Sequence, residues 1–489
     1  MLKVNATPFI FDHYPSATIR LSTSAKLHLL TKLLIFEIIQ ILSTMKFLKL
    51  LIMLAVVCLF NTCTDDLVTD DLNLSSENND NVLKSRFLPL KIAIVSDIHY
   101  LDPSLLKNNA VSGAAFQAYL AADPKLIQFS VPIFEKVISD LRAEKPDILL
   151  IPGDLTKDGE KISHEALAKI LKNLSEKGIK VFVVPGNHDI NNPESLAFDG
   201  DGAYPVSSVS SDEFAEIYSD YGYSNALYRD PNSLSYICQP NSNLWILGID
   251  DCKYEENTTS AIVSGRIKTG TMEWVQAKMQ EATANNITVL AMMHHGIMEH
   301  YYGQNQLDPG YVTDDWETST NALIGAGVKV IFTGHYHAND VSMYSSNQHA
   351  LFDVETGSLV TAPSPFRRAV LTGNNLNIKT DYVKSISYPL PNHLSFRAFS
   401  NLFFDNHLDA YFTYVLMNVY GLDATSATYV APRFRNAILA HYAGNERISP
   451  KEQVLDNEVT AISPLLGGAL QSLWTDLPPQ DNEIHINLK

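Results

Sequence analysis

Five short segments hold most of the chemistry this chain could perform: Asp97-Ile98-His99, Gly153-Asp154, Gly186-Asn187-His188-Asp189, Met293-His294-His295 and Gly334-His335-Tyr336-His337. They offer carboxylate, imidazole and amide oxygen, and no thiol. That donor set suits Mn, Fe, Zn or Co and does not suit a Cys-rich structural zinc site. Taken singly, a Gly-Asp pair reads as a turn and a lone histidine as a satisfied core or surface residue. Five such segments, each directly after an apolar run, point instead to a metal centre with two ions. Ions about 3.5–4 Å apart need a bridging anion. Asp154, which follows a glycine that permits a tight turn, is the residue expected to bridge.

The elements that must position these groups are short strands. Lys91–Val95, Ile148–Ile151, Val181–Val184, Thr288–Met293 and Val328–Phe332 are apolar and rich in β-branched residues, as buried strands are. The polar segments therefore sit at strand carboxyl ends, where open α/β sheets build their sites. Helices are expected between them. Val131, Phe134, Val137, Ile138 and Leu141 share a face, as do Leu167, Ile170, Leu171 and Leu174, with Ser163 as N-cap and Gly178 as stop. A third helix is expected near Met272–Ala284.

In this order the segments resemble the calcineurin-like metallophosphoesterase superfamily, whose pattern is D-x-H, G-D, G-N-H-[DE], H and G-H-x-H. The resemblance covers about Pro89 to Val383 and implies a four-layer α/β/β/α sandwich with a dinuclear site of two divalent or mixed-valence ions. It implies that Asp97, His99, Asp154 and His337 hold the first metal. Asp154, Asn187, His294 and His335 would hold the second. His188 would lie over the substrate without a metal, with Asp189 behind it to orient the ring. A bridging hydroxide would then attack phosphorus, and His188 would donate a proton to the leaving oxygen or clamp the phosphoryl group. On an alternating strand only one of His294 and His295 can point at the metals. The pattern favours His294 and leaves His295 to the substrate pocket, to support of the ligands, or to packing.

Departures from subfamily patterns narrow the expectation. Protein phosphatases of the superfamily read G-D-x-x-D-R-G; here Asp158 stands where they carry a phosphate-clamping arginine. A dianionic monoester would miss that bidentate partner. Purple acid phosphatases place a tyrosine ligand where this chain has Lys157, and they lack the equivalent of His99. The expectation is a hydrolase of phosphoric esters of the phosphodiesterase type, acting on a small molecule or a lipid headgroup. Asp97-Ile98-His99-Tyr100-Leu101-Asp102-Pro103 is mildly similar to sphingomyelinase-like members. The alternatives are a phosphomonoesterase, or a surface binding lipoprotein on the same fold without turnover. Retention of every ligand position and of His188 favours an enzyme.

The amino-terminal part speaks to location. Lys46 to Lys49 is a basic head, Leu50 to Phe60 an apolar core, and Asn61-Thr62-Cys63 a cleavage-like end. The core is shorter than the roughly 20 residues a membrane span needs. Residues 45–63 are thus expected to be a signal peptide, with 1–44 an upstream mis-start or, alternatively, a real extension whose apolar part, Leu27–Leu42, is interrupted by Lys32 and Glu37. Cys63 resembles the lipidated cysteine of a bacterial lipoprotein, in a loose lipobox; a signal cleaved without lipid is the alternative. Residues 64–88 are acidic and Asn/Ser-rich, a tether that cannot bury enough apolar surface to fold. The expected location is the cell envelope, periplasm or cell surface, with a membrane contact through Cys63.

The chain has 489 residues, 46% of them hydrophobic, enough for one large core and an appendage. A net charge of −18 argues against a nucleic-acid partner, which would need a basic footprint. Ser233–Gln239 and Asn243–Ile249 read as a hairpin that leaves Cys238 and Cys252 too far apart for a bridge, so no disulfide is expected. Three stretches exceed what the core needs, Ser104–Ser130, Asn191–Asp212 and Glu299–Asp315, each beside a ligand segment. Such insertions shape substrate pockets or pack locally. The metallophosphoesterase domain is placed at 89–385. A helical region at 386–489 follows, with one stripe from Leu408 to Val419 and another from Phe434 to Tyr442. It is read as a structural cap, with a lid or an oligomer contact as alternatives.

Overall fold

The structure, a computed structural model, describes residues 88–346 and 348–489, all within one unit. The expected signal segment, Cys63 and nearly all of the tether lie outside the described residues. Among the described residues no helix is long and apolar enough to cross a membrane.

Strands are numbered along the chain: β1 Leu90–Ile94, β2 Leu106–Lys107, β3 Ile148–Pro152, β4 Lys180–Val184, β5 Leu196–Asp199, β6 Gly202–Pro205, β7 Tyr228–Arg229 and β8 Tyr236–Asn241. Then come β9 Leu244–Gly248, β10 Thr288–Met292, β11 Val330–Thr333, β12 Val341–Ser346, β13 His349–Glu355, β14 Pro365–Thr372, β15 Asn375–Tyr382 and β16 Glu483–Asn487. One sheet runs β16-β15-β14-β1-β3-β4 and the second β12-β13-β11-β10-β9-β8-β7. Within them β1, β3 and β4 pair in parallel, as do β9, β10, β11 and β13. All five candidate ligand segments follow parallel strands; β1, β3, β10 and β11 are interior to their sheets, and β4 is an edge strand.

Period-two alternation makes the layers. Along β10, Leu290 and Met292 join the core shared with the first sheet, while Val289 and Ala291 join a separate core. Along β9 and β11 the residues divide likewise: Leu244, Ile246, Val330 and Phe332 face one way, Trp245, Leu247 and Ile331 the other. The second core is closed by Val275, Met279 and Ala282 of helix Thr269–Ala284 and by Leu323 and Ile324 of helix Trp316–Ala326. Helices Ser130–Glu144 and Lys161–Ser175 bury the expected apolar faces with the first sheet. The result is the α/β/β/α sandwich.

Some local expectations need correction. Ser163 is not an N-cap; extended Glu160 occupies that position, and Ser163 Oγ accepts from Asp102 N at 3.1 Å, tying the helix to the first ligand loop. Val419 lies beyond helix Phe396–Asn418 and is 70% exposed. The hairpin β8–β9 forms as expected, with Cys238 opposite Ile246; Cys238 and Cys252 are buried free thiols. Insertions 104–130 and 191–212 meet in a small sheet β2-β5-β6, where the rings of Phe116 and Phe198 pack at 5.0 Å.

The C-terminal region is four helices, Phe396–Asn418, Ala424–Tyr442, Pro450–Ile462 and Pro464–Leu473. The chain then returns as β16, the edge strand of the first sheet, an element the helical reading of 386–489 did not include. Fully buried Arg367 on β14 secures this return. Its guanidinium donates to the carbonyls of Glu355 (3.0 Å from Nε), Asp340 (3.1 Å) and Asp481 (2.6 Å), and to Thr380 Oγ1 (3.1 Å). Arg367→Met keeps much of the volume but leaves these acceptors buried and unpaired, at about 1–3 kcal/mol for each one that water cannot reach. Urea unfolding should show a loss of roughly 3 kcal/mol or more, whereas a surface Arg397→Met should change stability by less than about 0.5 kcal/mol; equal midpoints for the two variants would refute the clamp.

Candidate metal centre

The ligand segments meet where the two sheets face each other. His99 Nε2 lies 3.2 Å from His337 Nε2, 3.5 Å from Asp154 Oδ2 and 4.0 Å from Asp97 Oδ1, and His337 Nε2 lies 3.4 Å from Asp97 Oδ1. On the other side, His294 Nε2 lies 3.3 Å from Asp154 Oδ1 and 3.0 Å from Asn187 Oδ1. Donors bound to one ion at about 2.1 Å sit roughly 3–3.5 Å apart. The two sets fit two ions, and Asp154 turns one oxygen toward each. Asp97, His99 and His294 are 0% exposed and Asp154 is 1% exposed, so water does not keep these groups apart.

Carbonyl partners orient the imidazoles. His294 Nδ1 donates to Pro152 O at 3.0 Å, which aims Nε2 at Asp154. His335 Nε2 donates to Gly310 O at 3.1 Å, and its ring stacks on Tyr311 at 5.0 Å. Insertion 299–315 therefore orients the candidate ligand His335, a role beyond the pocket wall or local packing expected of it. His295 is engaged elsewhere: Nδ1 meets Asp251 Oδ2 at 2.9 Å and Nε2 meets Val263 O at 2.8 Å. Its ring, 4.2 Å from that of His335, is a support, one of the roles left open.

The backbone of these loops is strained. Asp97, His99, Asp154, His335 and His337 all adopt left-handed conformations, with φ from 43° to 77°. Asp, Asn and His tolerate that region better than most residues, yet each costs roughly 1 kcal/mol or more. Gly153 (φ 87°) is needed for the same turn, and a Cβ on it would lie 2.4 Å from His294 Nδ1. A Cβ on Gly334 would lie 2.3 Å from Asp97 Oδ2.

Asp189 does not orient His188. Its carboxylate accepts from Gly186 N (2.8 Å), Leu155 N (3.1 Å), Thr156 N (3.0 Å) and Thr156 Oγ1 (3.0 Å), locking the Asp154 loop to the Asn187 loop. Burial, with Asp154 nearby, pushes it up to about 7. The partner of His188 is Asp158, whose Oδ1 lies 2.7 Å from His188 Nδ1. The sequence marks Asp158 only as a missing arginine, because its approach depends on the loop folding back over Asp154. Burial lowers the His188 pKa, but Asp154 and Asp158 outweigh it and raise it. The His188 side chain is 20% exposed against 0% for His99 and His294, which places it at the mouth.

A second unanticipated residue is Lys125, in insertion 104–130. It is 4% exposed, ion-paired to Asp123 at 2.7 Å, and its charge acts on Asp154, His99 and His188. Burial lowers its pKa, but Asp123 and Asp154 outweigh that and keep it protonated.

A family model described as calcineurin-like phosphoesterase matches residues 90–339. The chain belongs to that family. A probable cyclic nucleotide phosphodiesterase of Vesicomyosocius okutanii is 41% identical over 64 residues, 13% of this chain and 26% of that protein. A 3',5'-cyclic-nucleotide phosphodiesterase of Nostoc sp. is 33% identical over 102 residues, 21% of this chain and 32% of that protein. The matches thus span only about a quarter to a third of these relatives. Among solved structures, a dimetal phosphatase from Danio rerio is similar at 14% identity with a TM-score of 0.41, covering 60% of this chain and 96% of that one.

Burial lowers the His294 pKa, but the charge and hydrogen bond of Asp154 outweigh it and push it up to about 10. Its Nε2 must lose that proton to become a ligand, so metal loading should release about one proton at pH 7, and apparent affinity should rise up to tenfold per pH unit below about pH 10. Calorimetric titration of the metal-free protein in buffers of different ionisation enthalpy measures the release. A zero slope against buffer enthalpy would contradict it, and His294→Ala should lack that proton.

Proposed function

We propose that this chain is a metal-dependent hydrolase of phosphoric esters that acts on phosphodiesters. One observation carries the reading: two buried donor sets share Asp154, one oxygen each, and a histidine that neither set needs stands at their mouth. Asp97, His99, Asp154 and His337 would hold one ion, and Asp154, Asn187, His294 and His335 the other. When bound, the ions supply Lewis acidity to phosphoryl oxygens and acidify water into a nucleophile at neutral pH. The metal, Mn, Fe, Zn or Co, is left open by this donor set.

The chain's own contribution is proton delivery and orientation. Asp158 holds the His188 Nδ1–H, so Nε2, 3.9 Å from Asp154 Oδ2, faces the centre and can give its proton to the leaving oxygen. An alkoxide leaving group, of a diester or a monoester, is a poor one without that proton. Asp158 stands where a clamping arginine would favour a dianion, and Lys157 beside it is ion-paired to Asp158 and Glu160. The relatives named as cyclic nucleotide phosphodiesterases support the diester class. Lys125 favours a second reading, a phosphomonoesterase, because a buried cation near Asp154 would suit a dianion. The segment from Lys46 to Cys63 supports an exported, lipid-anchored protein.

The metal-reconstituted protein should be assayed on nitrophenyl phosphomonoesters and diesters, cyclic nucleotides and phospholipids. The expected outcome is a kcat/KM for diesters at least tenfold above that for monoesters; the reverse preference selects the second reading, and no turnover of any ester removes both.

His188→Ala should keep its metals and lose kcat by roughly 10²–10⁴-fold. Asp158→Asn should lose less, in the same direction, also with metals kept. For both variants the deficit should shrink as the leaving group's pKa falls. A deficit that is flat across a leaving-group series would make His188 an electrostatic clamp and not a proton donor.

A further inference from the structure

A second cluster of donors lies outside this centre, where the C-terminal helices meet the segment after His337. Asp340, three residues beyond His337, is 0% exposed. His300 Nδ1 engages its Oδ1 at 2.6 Å. The other oxygen, Oδ2, has no hydrogen-bond donor and lies 3.5 Å from His441 Nδ1. His441, near the end of helix Ala424–Tyr442, is 1% exposed, and its Nδ1 is also 2.8 Å from Glu446 Oε1. Ligand atoms of Asp340, His441 and Glu446 all lie within 4.8 Å of one another. Glu446 forms a second such group with Asp481, which is 2% exposed, and with exposed Asp476.

The charges here do not balance from within. Asp340, Glu446 and Asp481 are buried carboxylic acids, and Asp353 and Glu355 stand next to them around His300. Arg367 is close, but its guanidinium goes to the carbonyls of Glu355, Asp340 and Asp481 and to Thr380 Oγ1, not to these carboxylates. Burial, then Asp340, pushes Glu446 and Asp481 up to about 9. Burial lowers the His300 pKa, but Asp353 and Asp340 outweigh it and hold the imidazole well above its usual range, so it supplies one positive charge against five carboxyls. Glu446 hydrogen-bonds Asp481, sharing a proton. A buried carboxylate oxygen without a donor costs several kcal/mol if ionised alone. A cation among these oxygens would remove the conflict, and Asp476 gives it a path from solvent.

We propose that Asp340, His441 and Glu446, with Asp481 and Asp476 alongside, bind one divalent transition ion such as Mn2+ or Zn2+, separate from the dinuclear centre. The imidazole in the set favours these ions over Ca2+ or Mg2+. The ligands come from the segment following His337, from the end of a C-terminal helix and from the segment before β16. The ion therefore fastens the C-terminal region to the loop that carries His335 and His337. Tyr336, between those two histidines, packs its ring 5.7 Å from that of His441.

The test is metal content by elemental analysis after loading with Mn2+ or Zn2+ and exhaustive dialysis. An Asp154→Asn/His294→Ala variant disables the dinuclear centre and should retain one ion per chain. Adding Asp340→Asn and Glu446→Gln should remove that ion. The melting temperature of the first variant should rise with added ion and fall with chelator, and that of the second should respond to neither. In the otherwise unaltered protein, Glu446→Gln alone should lower the content by one ion. An Asp154→Asn/His294→Ala variant that folds but holds no ion, or Glu446→Gln with unchanged content, would overturn the proposal and leave a network of protonated carboxyls. If instead Asp154→Asn/His294→Ala binds as much metal as the unaltered protein, the dinuclear reading fails and this one stands.

Discussion

Asp154 is the point at which the fold's electrostatics must be reconciled. Its two oxygens face two different sets of buried donors, and each set directs lone pairs at a common centre from 3.0 to 4.0 Å apart. Without positive charge between them, such groups repel or take up protons, as His294 does when pushed up to about 10. The loops are nonetheless held in place. Five of the candidate ligand residues sit in left-handed conformations that each disfavours. Asp189 ties two of those loops together through four hydrogen bonds. That work keeps the donors together, and it is intelligible only if cations complete the arrangement.

The scaffold follows from that requirement. Two sheets facing one another put the ends of β1, β3 and β4 opposite those of β10 and β11, so neither sheet alone could assemble either donor set. Insertions then finish what the strand ends begin. Gly310 and Tyr311 fix the ring of His335, and Lys125 brings buried positive charge toward Asp154. The C-terminal helices reach the same region, with the ring of Tyr442 6.4 Å from that of His337. They are therefore part of the wall around the site as well as a cap on the sandwich.

The ligand segments were legible because each is a local pattern: an apolar strand, then a polar residue type fixed by coordination chemistry. The strand bounds match to within two residues for the same reason, since a buried strand must be apolar along its whole length. Asp158, Lys125 and Asp340 were not legible in their roles. Asp158 and Asp340 meet their partners through loops that return from elsewhere, across 30 residues from Asp158 to His188 and 101 from Asp340 to His441. Lys125 pairs locally with Asp123, while its charge reaches the centre only through the fold. The apparent logic of Asp189 failed for a related reason. Adjacency to His188 in sequence suggested contact, but the turn points the two side chains in different directions. Strand β16 was hidden because Glu483–Asn487 alternates polar and apolar residues over only five positions after a long helical stretch.

The pairing of Asp158 with His188 also bears on which ester the site suits. At the position where an arginine would meet a phosphoryl oxygen, this chain has a carboxylate already bonded to His188, the proposed proton donor. Neighbouring Lys157 is fully buried between Asp158 and Glu160 beneath the ring of Tyr119, 4.6 Å from its centroid, so its charge is absorbed within the loop. A substrate phosphoryl group at this mouth would therefore face Asp158 and His188 together, a pair with little net charge when His188 is protonated. A dianionic monoester gains less there than at a guanidinium fork. A monoanionic diester needs less positive charge at the mouth, which agrees with the proposed diester class; the alkoxide leaving group of either ester would take its proton from His188, held by Asp158.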